Sequence, residues 1–188
     1  MPLIAKGSSS SFTPAPAGQW QAVCVDVVDR GWHEKTFNGQ AVLGKDGKPA
    51  QVHKVQLMWE INEEMADGRP YIVSAWFNLS LHEKATLRKS LESWLGRTLT
   101  EPEVTEGYDL ETLLGKNCQL TVVHKVTPNG TYANVTAIVP LMKGMKNIKP
   151  SADYVRFCDR PAVADTNGDN GADEDEPLRA ADGTELQF

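Results

Sequence analysis

Long apolar runs are missing from this 188-residue chain, and no stretch approaches the length needed to cross a bilayer. Cysteine is scarce. The three residues Cys24, Cys118 and Cys158 stand far apart without paired spacing, which argues against a disulfide framework and a zinc site and fits a reducing cytoplasm. The four histidines, His33, His53, His82 and His124, are scattered too, and none stands at metal-ligand spacing from a cysteine or another histidine. A phosphate-cradling glycine loop and a nucleophile elbow are both absent. Glu60, Glu63, Glu64 and Asp67 are acids that a magnesium enzyme would need, but they gather at a strand end and turn, where a solvated charge run is expected. No catalytic residue, cofactor or metal is therefore expected, and the chain reads as a non-enzyme. Its start holds Lys6, serines, Pro14 and Pro16 in place of the basic segment and apolar run of a signal peptide. Aromatics make up only 7% of the chain, so a tryptophan outside the core needs its own explanation.

What is present is a sharp division of charge. Residues 165–188 hold eight acids, among them Asp173, Glu174, Asp175 and Glu176, against Arg179 alone, a net −7. The whole chain is −6, which leaves +1 on residues 1–164. A block of like charge with little apolar surface cannot offset its ordering entropy, so the composition predicts a disordered tail over 161–188. A disordered arm is expected over 1–17. A flexible acidic tail ending in Phe188 can act as a docking peptide or as an internal mimic of a polyanion. Asp165, Asn167, Asp169, Asp173 and Glu176 have the spacing of calcium-loop ligands. However, Asn170 stands where that loop needs glycine, and Pro161 and Pro177 flank it, so no metal site is expected there.

Between arm and tail, residues 18–160 read as one domain. Valine-rich residues 19–29 predict a first strand, and glycine-rich residues 30–49 a long loop. Val55, Leu57, Trp59 and Ile61 recur every second residue, with Lys54, Gln56, Met58 and Glu60 on the other face, which predicts a half-buried strand. Asp67-Gly68 marks a turn into a third strand over 71–79. The period then changes. Leu87, Leu91 and Trp94 repeat at helical spacing, Ser80 and Glu83 look like a capping box, and Gly96 is a stop, so a helix is expected over 81–95. A helical turn over 109–114 precedes two strands, 117–127 and 131–139, joined at Pro128-Asn129-Gly130. Residues 141–160 form an extension with five basic residues against two acids, a net +3. Three strands, a helix and two strands is the order of a five-stranded oligonucleotide-binding (OB) barrel plugged by a helix, a mainly β fold.

Three stretches, LSLHEKATLRKSLESWLGR, YDLETLLGKNCQLTVVHK and NGTYANVTAI, resemble a group of small phage and prophage proteins that includes single-stranded DNA-binding proteins with this barrel. The resemblance spans residues 19–139. It implies binding of single-stranded DNA without sequence preference, in the cytoplasm of a bacterial host. The tail is similar to those of replication single-stranded DNA-binding proteins, whose acidic residues and terminal Phe contact polymerases, helicases or nucleases. Asp173, Glu174, Asp175, Glu176 and Phe188 are the matching residues here, with the departure that PLRAADGT separates the acids from Phe188.

Non-specific single-strand binding needs cationic groups to track phosphates and aromatic faces on which bases stack. The barrel presents them on its second and third strands and on the loops after the first and fourth. Trp32, Lys35 and Phe37 interleave rings and charge in the first loop. Trp76 follows on the third strand, with Lys54, Lys125 and Tyr132 as further contacts. Alternatives stay open: Trp32 and Phe37 cover the barrel mouth, or Trp76 joins the core if Ile72 faces inward. Trp59, Trp20 and Trp94 read as packing residues. The near-neutral body keeps a second function open, an interaction protein without single-strand affinity whose tail mimics DNA or docks a partner.

Overall fold

The alternating and valine-rich segments do form strands. The computed structural model describes residues 13–37, 40–128 and 130–160. Its long strands are β1 (Gly18–Glu34), β4 (Gln51–Glu64), β5 (Pro70–Asn78), β6 (Asn117–Thr127) and β7 (Gly130–Pro140). A two-residue ribbon, β2 (Thr36–Phe37) with β3 (Gln40–Ala41), interrupts the first connection. The long strands form one antiparallel sheet in the order β5-β4-β1-β6-β7. The protein is thus mainly β. The edge strands β5 and β7 approach to within 8 Å between Cα atoms without a hydrogen-bonded ladder joining them.

Side chains alternate across a strand, and one face of this sheet carries the main core. Val55, Leu57, Trp59 and Ile61 of β4 meet Val73 and Phe77 of β5 and Leu120 and Val122 of β6, all buried. Helix α1 (Thr86–Leu95) covers this face with Leu87, Leu91 and Trp94. Trp94 Nε1 donates to the Asn117 carbonyl at 3.2 Å and Ser93 Oγ to that of Ile138 at 2.6 Å. Gly96 ends the helix in the left-handed region, φ 65°, as expected of glycine there.

The helix starts later than its spacing predicts. Ser80 takes the His82 N–H in a local turn, and Ala85 stands at the N-cap. The capping box forms at Thr100 and Glu103 instead, opening the short helix α2 (Glu101–Thr105). Residues 13–17, assigned to the arm, pack on the sheet: Ala15 is buried and its carbonyl meets His124 Nε2 at 2.8 Å.

Two bulges in β1 decide which way its side chains face. The register slips between Cys24 and Asp26, and again between Asp29 and Gly31. Each extra residue moves everything after it to the opposite face. Asp26 therefore leaves the core face and pairs with Met58, and Trp32 pairs with His53. Gly31, at φ 74°, supplies the backbone freedom for the second bulge. It also lets β1 run on to Glu34, through residues expected to be loop.

Candidate functional site

Trp32 stands near the end of β1 and is 69% exposed. Its ring lies nearly parallel to that of His53, with centroids 5.0 Å apart and planes 20° from each other. His53 Nε2 is in turn 2.6 Å from Asp29 Oδ1. The Gly31 backbone N–H and then His53 hold the Asp29 carboxyl below its ordinary range. Asp29 orients His53, and His53 backs one face of the Trp32 indole, so the tryptophan does not fold back over the sheet. Lys35 is exposed nearby, its backbone bonded to Ala50 and Val42. Phe37 pairs with Gln40 through its backbone, and its side chain lies outside the described atoms.

Trp76 lies on the other side of the sheet. It pairs with Gln56 on the face opposite the core, so it is not a core residue. The Arg30 guanidinium stacks over its indole with Cζ 5.0 Å from the ring centroid. Gln56 Oε1 accepts from Arg30 Nε at 2.9 Å, while Gln56 Nε2 donates to Ser74 Oγ at 2.8 Å. His33 meets the Trp76 ring edge-on at 5.9 Å. The second bulge thus puts Trp32 and Trp76 on opposite faces, and the structure does not bring these two candidates together.

Lys54 corrects an expectation. Placed at the surface by its alternation, it is only 5% exposed. Gln56 and Glu60, its neighbours on the supposedly wet face of β4, are also buried. Part of the covering is the basic extension. Ser151 donates its backbone N–H to Glu60 Oε2 at 2.7 Å and its hydroxyl to Glu60 Oε1. Asp26, 1% exposed, accepts from the Tyr154 hydroxyl at 3.0 Å, the Phe157 N–H at 2.6 Å and Arg156 Nε at 3.3 Å. Arg156 also reaches Glu111 at 2.8 Å. Farther back, Asn117 donates to the Ile148 carbonyl and accepts its N–H, each at 2.8 Å. Residues 148–157 are therefore fastened across the sheet by two buried acids and an asparagine.

Fastened this way, the extension brings Phe157 over the other side of Arg30, with Cζ 4.8 Å from the ring centroid. Arg160 follows, 5.9 Å from Phe157 and 5.8 Å from Tyr154. Sequence reasoning missed Arg30, His53, Phe157 and Arg160. The available signal was Asp26, an acid inside a valine-rich strand, where an unpaired charge is too costly to bury.

Lys125 and Tyr132 face each other across the β6–β7 hairpin. That hairpin pairs with the first residues of β1, whereas Trp32 stands near its last. Asp173, Glu174, Asp175, Glu176 and Phe188 lie outside the described residues. Among the described residues there is no cluster of His, Cys, Asp and Glu able to hold a metal, and no helix is long and apolar enough to cross a membrane. No family model matches the chain, and no curated protein matches it.

Proposed function

We propose that this chain binds single-stranded DNA without sequence preference, on a sheet curled as an OB-type barrel. Counting the long strands along the chain, their order is third, second, first, fourth, fifth, the order such a barrel uses around its first strand. The near approach of β5 and β7, and a helix that lies between the third and fourth long strands in sequence and packs on β5 and β7, support the same reading.

The observation that carries the binding is the Trp32–His53–Asp29 stack. An indole in water gains nothing from its own exposure, yet this one is held flat and leaves a face for a base. Stacking of a base on an aromatic is worth about 1–3 kcal/mol and tolerates any sequence. With a body charge of +1, affinity rests more on stacking than on long-range attraction. The acidic residues and Phe188 enter through charge and composition alone: the tail competes with DNA for cationic groups and docks a replication or recombination protein.

The test is fluorescence anisotropy with an oligothymidine and a duplex of equal length, at low and moderate salt. The single strand binds more tightly, and affinity falls as salt rises. Equal binding to duplex overturns the reading. Absence of binding at low salt favours the interaction protein, for which the near-neutral body and the covered outer face of β4 speak.

A further inference from the structure

We infer that the fastened extension supplies a second contact for the same DNA strand, a ladder of alternating rings and guanidinium groups: Trp76, Arg30, Phe157, Arg160 and Tyr154. This rests on the single-strand reading and adds to it a site on the sheet face opposite Trp32. The four steps of the ladder measure 5.0, 4.8, 5.9 and 5.8 Å from Cζ to ring centroid. Three of its five members come from residues 154–160, beyond the last strand.

The charge of the ladder points to an anion. Arg69, Arg88, Arg97 and Arg156 each meet a carboxylate within ion-pair distance. Arg30 and Arg160 meet none among the described residues. The side-chain amide of Gln56 accepts from Arg30, and the Val155 carbonyl accepts from Arg160 at 3.1 Å. Neutral acceptors hold a guanidinium in place and leave its charge uncompensated, and rings beneath it tolerate that charge well.

The surface beside these charges is apolar and open. Phe157 is 46% exposed and Val155 51%. A ligand that matches must bring flat apolar rings and negative charge at short, regular spacing, which is the chemistry of a single-stranded polynucleotide. The site is also preformed. The buried acids Asp26 and Glu60 hold the extension down with hydrogen bonds, so little ordering cost is left for binding.

The test uses the full chain, a labelled oligothymidine and three variants, Arg160→Gln, Phe157→Ala and Trp32→Ala, each with a thermal melt. Arg160→Gln weakens binding and flattens the dependence of log affinity on log salt by about 0.7, one phosphate contact on a single strand. Phe157→Ala weakens binding roughly ten-fold, and Phe157→Trp retains it. If Phe157→Ala melts early, the exposed Arg160 side chain carries the test. Wild-type affinity and salt slope in both ladder variants, beside weakened binding by Trp32→Ala, overturn the ladder and leave the single-strand reading standing. Failure of the unaltered chain to bind overturns that reading and the ladder with it. Ser151→Ala, which loosens the extension, weakens binding; tighter binding overturns the inference by showing that the extension is a cover.

Discussion

The backbone N–H of Phe157 donates to Asp26 Oδ2 at 2.6 Å, across 131 residues of chain. This bond joins the middle of the first strand to the far end of the extension. It sets where Phe157 lies, and so which ring Arg30 meets on its second face.

Asp26→Ala leaves the Phe157 N–H and the Tyr154 hydroxyl without their acceptor and Arg156 without its buried partner. Arg156 keeps Glu111 as a partner, so the cost is chiefly that of the donors left unsatisfied, about 1–3 kcal/mol. The expected outcome is a lower melting temperature together with release of the extension, read as faster amide exchange at Phe157. An unchanged melt would mean that the extension adds nothing to stability.

Tyr154 gives an alkaline signature. Burial, followed by the hydrogen bond to Asp26, pushes its hydroxyl from 10.0 up to about 12. Between those values the unfolded chain has lost the proton and the folded chain keeps it. The folded state binds more protons there, so stability falls as pH rises through this window. Tyr154→Phe lacks this contribution, and its stability declines less steeply than wild type in the same window. Parallel stability curves for the two proteins would count against the buried hydroxyl.

Thiol reactivity separates the cysteines. Burial pushes Cys24 up to about 12 and raises Cys118 as well, and a buried, protonated thiol is inert. Cys158 is exposed. A disulfide reagent should label Cys158 in the native protein and all three cysteines after denaturation. Rapid native labelling of Cys24 would show that the core face of β1 opens readily.

Trp32→Ala should leave the melting temperature within about a degree of wild type, since an exposed side chain contributes little to stability. Single-strand affinity should drop by about 1–3 kcal/mol. Titration with an oligothymidine beside a melt reads both. Early melting with normal binding would make the indole a structural element.

Deleting residues 165–188 removes a net −7. The shortened chain should bind single-stranded DNA more tightly at low salt, and the advantage should shrink as salt screens the charges. Equal affinity of both chains at low salt would remove self-competition from the account.

Local physics determined a good part of this protein in advance. Val55, Leu57, Trp59 and Ile61 specify a buried strand face by period alone, Gly96 ends the helix, and Pro128-Asn129-Gly130 marks the hairpin, because each signal is complete within a few neighbouring residues. The exposed aromatic at Trp32 was legible for a similar reason, since rings in a polar stretch stand out. Tertiary structure decided the rest. Alternation across β1 does not reveal two bulges, so Asp26 and Trp32 each end on a face their spacing does not show. Lys54 and Glu60 read as solvent-facing because the segment that covers Glu60 lies 91 residues away. Arg30 becomes a stacking group only where Trp76 and Phe157 meet around it. Such contacts depend on which distant segments the folded chain brings together, and that is a property of the packed sheet and its register, not of any stretch of sequence by itself.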